Sequence, residues 1–242
     1  MIKTARGISI SNNMEGFTLL EVLMAIFLFS IIMTIVLFSF SGAMSNVENI
    51  QNTISVYESA KSAMDRMIMD LESARVAMPG TYTKPATGDD KDPWRITCTT
   101  DNLLSGSGPV LRFVSQAHVD LSGNQKNGLA EITYYLTPDP GNEENLVLRR
   151  RDVLDWEIYE EDSLENRSDP ILCDRIRTVE YHFYDQDGDT TETWNSDSEE
   201  TEFATPMAVD IVLELSAFDS EEGAPFRFET TVNLPFYREE QG

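Results

Sequence analysis

The amino-acid sequence predicts an α+β fold, in which one long helix from the amino-terminal part packs on an antiparallel β-sheet from the rest of the chain. The helix is predicted by a run without proline over residues 17–78, in which apolar residues recur at helical spacing. The sheet is predicted by several later segments in which apolar and polar residues alternate. A loop at 79–93, rich in Gly, Pro, Thr and Asp, separates the two patterns.

The first part of this helix, residues 17–40, is long and apolar enough to span a membrane. Its 24 residues reach about 36 Å, against about 30 Å for the hydrocarbon core of a bilayer. Lys3 and Arg6 precede it, whereas the first basic residue after it is Lys61, so the positive-inside rule predicts a cytoplasmic amino terminus. Its one charged residue is Glu21, and a charge inside such a segment is functional by default.

A polar leader, residues 1–16, precedes this segment and lacks the apolar core of a secretory signal. The junction reads Gly16-Phe17-Thr-Leu-Leu-Glu21. This arrangement resembles the class III signal of type IV pilins and type II secretion pseudopilins. The resemblance implies a pilin-like fold, cleavage by a prepilin peptidase between Gly16 and Phe17, and methylation of Phe17 as the new amino terminus. An uncleaved signal anchor is the alternative, and it would share the same topology.

The sequence allows two interpretations of Glu21. Cleavage would create a cationic amine at Phe17, and an unpaired charge at the centre of a membrane helix costs about 2.5 to 3.5 kcal/mol on insertion scales. In the resembling families, the counterpart of Glu21 meets the amino terminus of a neighbouring subunit and sets the axial register of a filament. The alternative is a pair within one helix, between Glu21 and its own amino terminus four residues earlier.

The helical pattern continues beyond the apolar segment, over residues 41–78. We expect its apolar stripe to face the core of the following head, residues 79–242, and a coiled-coil seam is the alternative. Lys61 interrupts the stripe, and its long stem can lie along the seam. Pro79-Gly80 predicts the end of the helix. The stripe consists of Val47, Ile50, Ile54, Tyr57, Met64, Ile68 and Leu71.

The head contains the alternating segments that predict strands, and a turn at 138–141 makes two of them a hairpin. The segment 179–185, then Trp194, the segment 206–215 and a last strand ending at Pro235 look like the carboxy-terminal half of J-type minor pseudopilins. The predicted strands are 110–115, 130–136, 146–150, 179–184, 209–215 and 226–234.

The J-type resemblance implies a structural subunit at the tip of the type II secretion pseudopilus. Its implied partners are other minor and major pseudopilins and the prepilin peptidase. Its implied location is the bacterial inner membrane, as a single-pass protein with a periplasmic head. Glu21 argues against the K-type tip subunit, which characteristically lacks this carboxylate. The alternative is a minor pilin of a type IV pilus with an adhesive or assembly-priming role.

The charge of the chain excludes one class of partner. The sequence has 42 acidic and 18 basic residues and a formal net charge of −24, so clusters of Lys and Arg for binding nucleic acid are lacking. Acidic residues concentrate at 155–169 and 196–202, which indicates solvated loops, with a docking surface for a basic partner as the alternative. The basic cluster 149–151 is expected to pair with acids.

One acidic segment is a weak candidate for a metal site. Asp185, Asp187 and Asp189 alternate with Gln and Gly, and carboxylate oxygens are the ligands that Ca²⁺ requires. However, glycine comes earlier than in an EF-hand loop and the closing glutamate is lacking, so an Asp-Gly turn leaving a strand is the alternative. Apart from this calcium alternative, the sequence predicts no cofactor.

The two cysteines, Cys98 and Cys173, leave two alternatives open. In an oxidising compartment they would form a disulfide, which would stabilise the fold by roughly 4.5 kcal/mol for a loop of about 75 residues. Otherwise they are independent buried thiols. The sequence carries no nucleophile elbow, phosphate loop or zinc-protease helix, so we predict that the protein is not an enzyme.

Overall fold

A computed structural model describes residues 16–84, 91–100, 108–119, 128–139, 141–154, 169–216 and 224–239. The leader up to residue 15 and the acidic stretch 155–168 lie outside the described residues. The described part contains helix α1 (Leu19–Glu72) and ten strands. The strands are β1 (Ala74–Arg75), β2 (Thr97–Thr99), β3 (Val110–Ser115), β4 (Ala130–Asp139), β5 (Asn142–Val153), β6 (Ile171–Tyr184), β7 (Thr190–Thr191), β8 (Trp194–Asn195), β9 (Ala208–Leu215) and β10 (Phe226–Asn233).

All ten strands belong to one sheet, and every pair in it is antiparallel. The main order is β10-β9-β6-β5-β4-β3-β2-β8, while β1 pairs with β3 and β7 pairs with β6. The α+β fold predicted from the sequence is confirmed, with a long helix followed by an antiparallel sheet. The predicted hairpin is β4–β5, which closes at Asp139 and Asn142.

The helix ends earlier than the sequence predicted. It stops at Glu72, whereas the pattern placed its end near residue 78. Ala74 and Arg75 instead form β1, because their backbone groups pair with Ser115 and Val114 of β3. The sheet therefore takes over the backbone hydrogen bonds that a further helical turn would have made.

The chain divides into two compact units, Met1–Gln51 and Asn52–Gly242. In the described part of the first unit, the helix exposes its large apolar side chains on all sides, and it is long and apolar enough to cross a membrane. Its hydroxyl groups bond within the helix: Ser30 Oγ donates to Ile26 O at 2.8 Å, and Thr34 Oγ1 donates to Ser30 O at 2.8 Å. Polar groups satisfied in this way suit a segment surrounded by lipid.

In the second unit, the helix buries a different face from the one predicted. Met64 and Leu71 are buried as expected, but Ile54 and Tyr57 are 49% and 52% exposed. The predicted stripe was drawn from large side chains alone. The buried face also contains Ala60 and Ala63, whose small side chains let a helix pack closely on a sheet. The buried helix residues are Val56, Ala60, Ala63, Met64, Met67, Asp70 and Leu71.

The buried carboxylate of Asp70 connects this helix to the sheet. Arg150 of β5 holds it with two bonds, from Nε to Oδ2 at 2.6 Å and from Nη2 to Oδ1 at 3.2 Å. Arg66 pairs with Oδ1 at 2.6 Å, and Tyr134 of β4 donates its hydroxyl to Oδ2. Burial and the Asp70 charge raise the pKa of Tyr134 well above its usual value, so its hydroxyl remains a neutral donor. We call these four residues the Asp70 cluster.

The prediction that the basic segment 149–151 pairs with acids is confirmed for Arg150. Arg150 pairs with Asp152 at 2.7 Å as well as with Asp70. Arg149 donates to Thr137 Oγ1 at 2.9 Å and to the backbone oxygen of Asp169 at 2.6 Å. These arginines therefore stabilise the fold, because buried guanidinium groups need such partners.

Candidate assembly and processing segment

The predicted cleavage junction lies just before the helix. Gly16, Phe17 and Thr18 adopt no regular structure, and α1 begins at Leu19. Phe17 is 82% exposed, and a Cβ added to Gly16 would meet no atom within 4 Å. The fold of this chain therefore does not itself require glycine at position 16. A requirement for glycine there would come from the enzyme that cuts the bond.

Thr18 and Glu21 cap the first turn of the helix. The backbone N–H of Glu21 donates to Thr18 Oγ1 at 3.3 Å, and the backbone N–H of Thr18 donates to Glu21 Oε2 at 3.4 Å. This is a capping box, in which side chains accept backbone N–H groups at the start of the helix, and the N–H of Glu21 also donates to Thr18 O at 3.0 Å. The sequence carries this capping signal as Thr-Leu-Leu-Glu at 18–21, which the two ionic pairs predicted for Glu21 leave out.

The capping contacts leave part of the Glu21 carboxylate available. Its Oε2 accepts the bond from Thr18, while Oε1 has no partner in the described part of the chain. No basic side chain among the described residues contacts it. In addition, a carboxylate in the first turn is favoured by the positive end of the helix dipole. The geometry thus gives Glu21 one role within its own helix and leaves one oxygen for a second partner.

The candidate calcium segment forms a tight turn between β6 and β7. Asp185 Oδ1 accepts the backbone N–H groups of Asp187 and Asp189, both at 2.9 Å, and Gly188 has a φ of 86°. This is the Asp-Gly turn that the sequence offered as the alternative. Among the described residues, no group of three or more His, Cys, Asp or Glu side chains is placed to hold a metal ion. Calcium binding here stays a prediction.

The two cysteines are buried free thiols in this structure. Cys173 on β6 accepts a hydrogen bond from Ser59 Oγ at 3.3 Å. Cys98 on β2 lies near Tyr181, whose pKa is raised by burial and also by this thiol. The structure thus holds both cysteines as buried thiols, and a disulfide between them in the native protein stays a prediction.

Two family models match the chain. Residues 11–37 match the prokaryotic N-terminal methylation motif, a range that contains Gly16, Phe17 and Glu21. The capped apolar helix and this motif define the class of protein, which is that of pilin-like proteins with a prokaryotic N-terminal methylation motif. A search among curated proteins finds no match.

The second match identifies the family. Residues 39–221 match type II secretion system protein J, and this range covers more than half of the 242-residue chain. The chain belongs to this family and is a minor pseudopilin of the type II secretion system. The alternative of a type IV minor pilin has no better support.

Proposed function

We propose that this minor pseudopilin acts at the tip of the pseudopilus as a structural subunit without enzymatic activity. In this proposal, prepilin peptidase cuts between Gly16 and Phe17 and methylates Phe17. The helix segment 17–40 then anchors the protein in the bacterial inner membrane, with the head in the periplasm. Other minor and major pseudopilins are its partners. The family membership and the exposed apolar helix of the first unit support this proposal.

The observation that carries the proposal is the position of Glu21. Its carboxylate lies in the first turn of an exposed apolar helix, four residues after the amine that cleavage would create. Pairing with an amine relieves the cost of leaving this charge unpaired in lipid, which is about 2.5 to 3.5 kcal/mol at the centre of a membrane helix. Because Oε2 is engaged with Thr18, we propose that Oε1 receives the amino terminus of a neighbouring subunit.

Crosslinking in the membrane tests this assignment. A photoreactive residue at position 20, beside Glu21, should crosslink to the amino-terminal segment of another pseudopilin when the secretion system is assembled. The same residue in a Glu21→Gln chain should lose this crosslink, since the charge is removed while a side-chain oxygen is kept. A crosslink of unchanged yield in the Glu21→Gln chain would overturn the assignment.

A further inference from the structure

Strand β10 forms one end of the sheet, and in the described part of the chain its outer edge pairs with no other strand. Its eight residues pair with β9 in one continuous register without a bulge, and none of them is proline. The strand at the other end of the main order, β8, has only two residues. Folded proteins usually protect an edge by keeping it short or by a bulge or proline. The edge of β10 therefore offers a row of backbone N–H and C=O groups to a further strand.

An apolar surface from the helix lies beside this edge. The Tyr57 ring meets the rings of Phe226 and Phe228 edge-on, with ring centres 5.5 Å and 5.2 Å apart. Tyr57 is nevertheless 52% exposed, and Ile54, one helical turn earlier, is 49% exposed. We call these two helix residues the Tyr57 shelf. A strand added to β10 would place every second side chain on this side of the sheet, where apolar residues would cover the shelf.

The opposite face of β10 carries an excess of negative charge. Arg227 lies 3.3 Å from the carboxylates of both Glu214 on β9 and Glu229 on β10, so one guanidinium serves two acids. Glu180 on β6 adds a third carboxylate to this face, because it is in register with Val212, which is in register with Glu229. A basic side chain on the same face of an added strand would therefore be attracted to the row of Glu229.

The two faces together define the chemistry of the added strand. We infer that the edge of β10 binds an extended segment of a partner protein, in which apolar residues facing the Tyr57 shelf alternate with lysine or arginine on the other face. Main-chain hydrogen bonds supply the affinity of such an added strand, and its alternate side chains supply the specificity. A second copy of this chain is a poorer occupant, because it brings the same formal net charge of −24. The inference is independent of Glu21, which belongs to the first unit.

Fluorescence anisotropy with the full chain in dodecyl maltoside micelles tests this inference, with empty micelles as the blank. The probe is the fluorescein-labelled peptide Thr-Val-Lys-Val-Lys-Val-Thr-amide, whose sequence reads the same in both directions and so suits either strand orientation. One matched peptide has glutamate in place of both lysines. The other carries N-methyl groups on its three central residues, which removes backbone donors and keeps the side chains. We expect saturable binding of the lysine peptide and binding weaker by about tenfold or more for each match.

Variants of the chain test both faces of the strand. Tyr57→Ala/Glu229→Lys removes the shelf and reverses a charge, so it should weaken binding of the lysine peptide by about tenfold or more. Glu229→Lys alone, at an exposed position, should weaken it by about threefold to fivefold. Glu180→Lys is the matched control, because it makes the same charge change on the same face but two strands from the edge. It should leave the affinity within about twofold of the unmodified chain.

Thermal melts show that each variant is folded. The inference is overturned if the lysine peptide does not bind, if either matched peptide binds equally well, or if the double variant and Glu229→Lys both keep full affinity. It is also overturned if Glu180→Lys weakens binding as much as the double variant does. Light scattering that shows a dimer of the unmodified chain and a monomer of the double variant would assign the edge to a second copy and overturn it as well.

Discussion

Thr18 and Glu21 hold the first turn of α1 from both directions, since each accepts a backbone N–H of the other through its side chain. Leu19 is consequently the first helical residue, and the Gly16–Phe17 bond precedes the helix. Glu21 thus has a local role that the unassembled chain already uses. This relationship makes the capping role and the charge of Glu21 separable by experiment.

Replacing Glu21 by glutamine should separate these two roles. Glutamine also completes a capping box, so the helix should still begin at Leu19, but the negative charge is lost. We expect Glu21→Gln to reduce incorporation into the pseudopilus nearly as much as Glu21→Ala does, as measured by co-purification with other pseudopilins. Thr18→Ala is the matched variant, since it removes a capping group worth about 1 kcal/mol and keeps the charge. If Thr18→Ala assembled as poorly as Glu21→Gln, the cap would matter more than the charge.

The amino terminus should reveal the processing event directly. We expect mass spectrometry of the purified protein to show a chain that begins with N-methyl-Phe17. Gly16→Leu should leave the leader attached, although the fold has room for a side chain there. Gly42→Ala is the control, because an added Cβ at that position also meets no atom within 4 Å and the site is remote from the junction. Native protein that retains its first sixteen residues and still supports secretion would contradict the proposed processing.

The Asp70 cluster should contribute strongly to the stability of the second unit. Asp70→Ala leaves the buried guanidinium of Arg150 without its main acceptor, and breaking a buried pair in this way typically costs about 3 to 5 kcal/mol. Urea unfolding followed by circular dichroism measures this loss. Asp65→Ala is the control, because its pair with Lys61 is exposed and should contribute at most about 1 kcal/mol. Equal losses in the two variants would show that the Asp70 cluster is not a stability determinant.

The sequence predicted those features that depend on local pattern. The apolar segment, the strand 110–115 and the β4–β5 hairpin follow directly from residue type and spacing. The buried helix face was predicted poorly, since Ala60 and Ala63 carry little hydrophobic signal but are buried. Buried charges such as Asp70 were missed for another reason: in sequence, a charged residue on a helix is indistinguishable from a solvated one.

The candidate site residues also differ in whether local sequence alone could show that they lie close together. Gly16, Phe17 and Glu21 are close in sequence, so their proximity could be inferred without a structure. The contacts of the buried Arg238 could not, because this side chain bonds to Ala77 and Asp92 from more than a hundred residues away and nothing in the sequence marks those contacts. The short strands β7 and β8, of two residues each, are likewise formed by their neighbours in the sheet.

Thiol chemistry distinguishes the two alternatives for the cysteines. Burial raises the pKa of Cys98 to about 12, and it raises the pKa of Cys173 to about 11. Both thiols are therefore neutral and inaccessible at pH 8, and the folded protein should resist alkylation by iodoacetamide. After unfolding in urea without reductant, both cysteines should be labelled, as mass spectrometry would show. No labelling until a reductant is added would mean that the two cysteines form a disulfide in the native protein.

The same pKa shifts predict how stability changes in alkali. A thiol whose folded pKa exceeds its unfolded value of 9.0 binds its proton more tightly in the folded state. Its contribution to stability is therefore complete below about pH 9 and is lost as pH rises towards 11 and 12. The Cys98→Ser/Cys173→Ser variant lacks both thiols, so its urea midpoint should fall less than that of the unmodified chain between pH 8.5 and about pH 10.5. If the urea midpoints of the two proteins fell equally over this pH range, neither thiol would determine stability there.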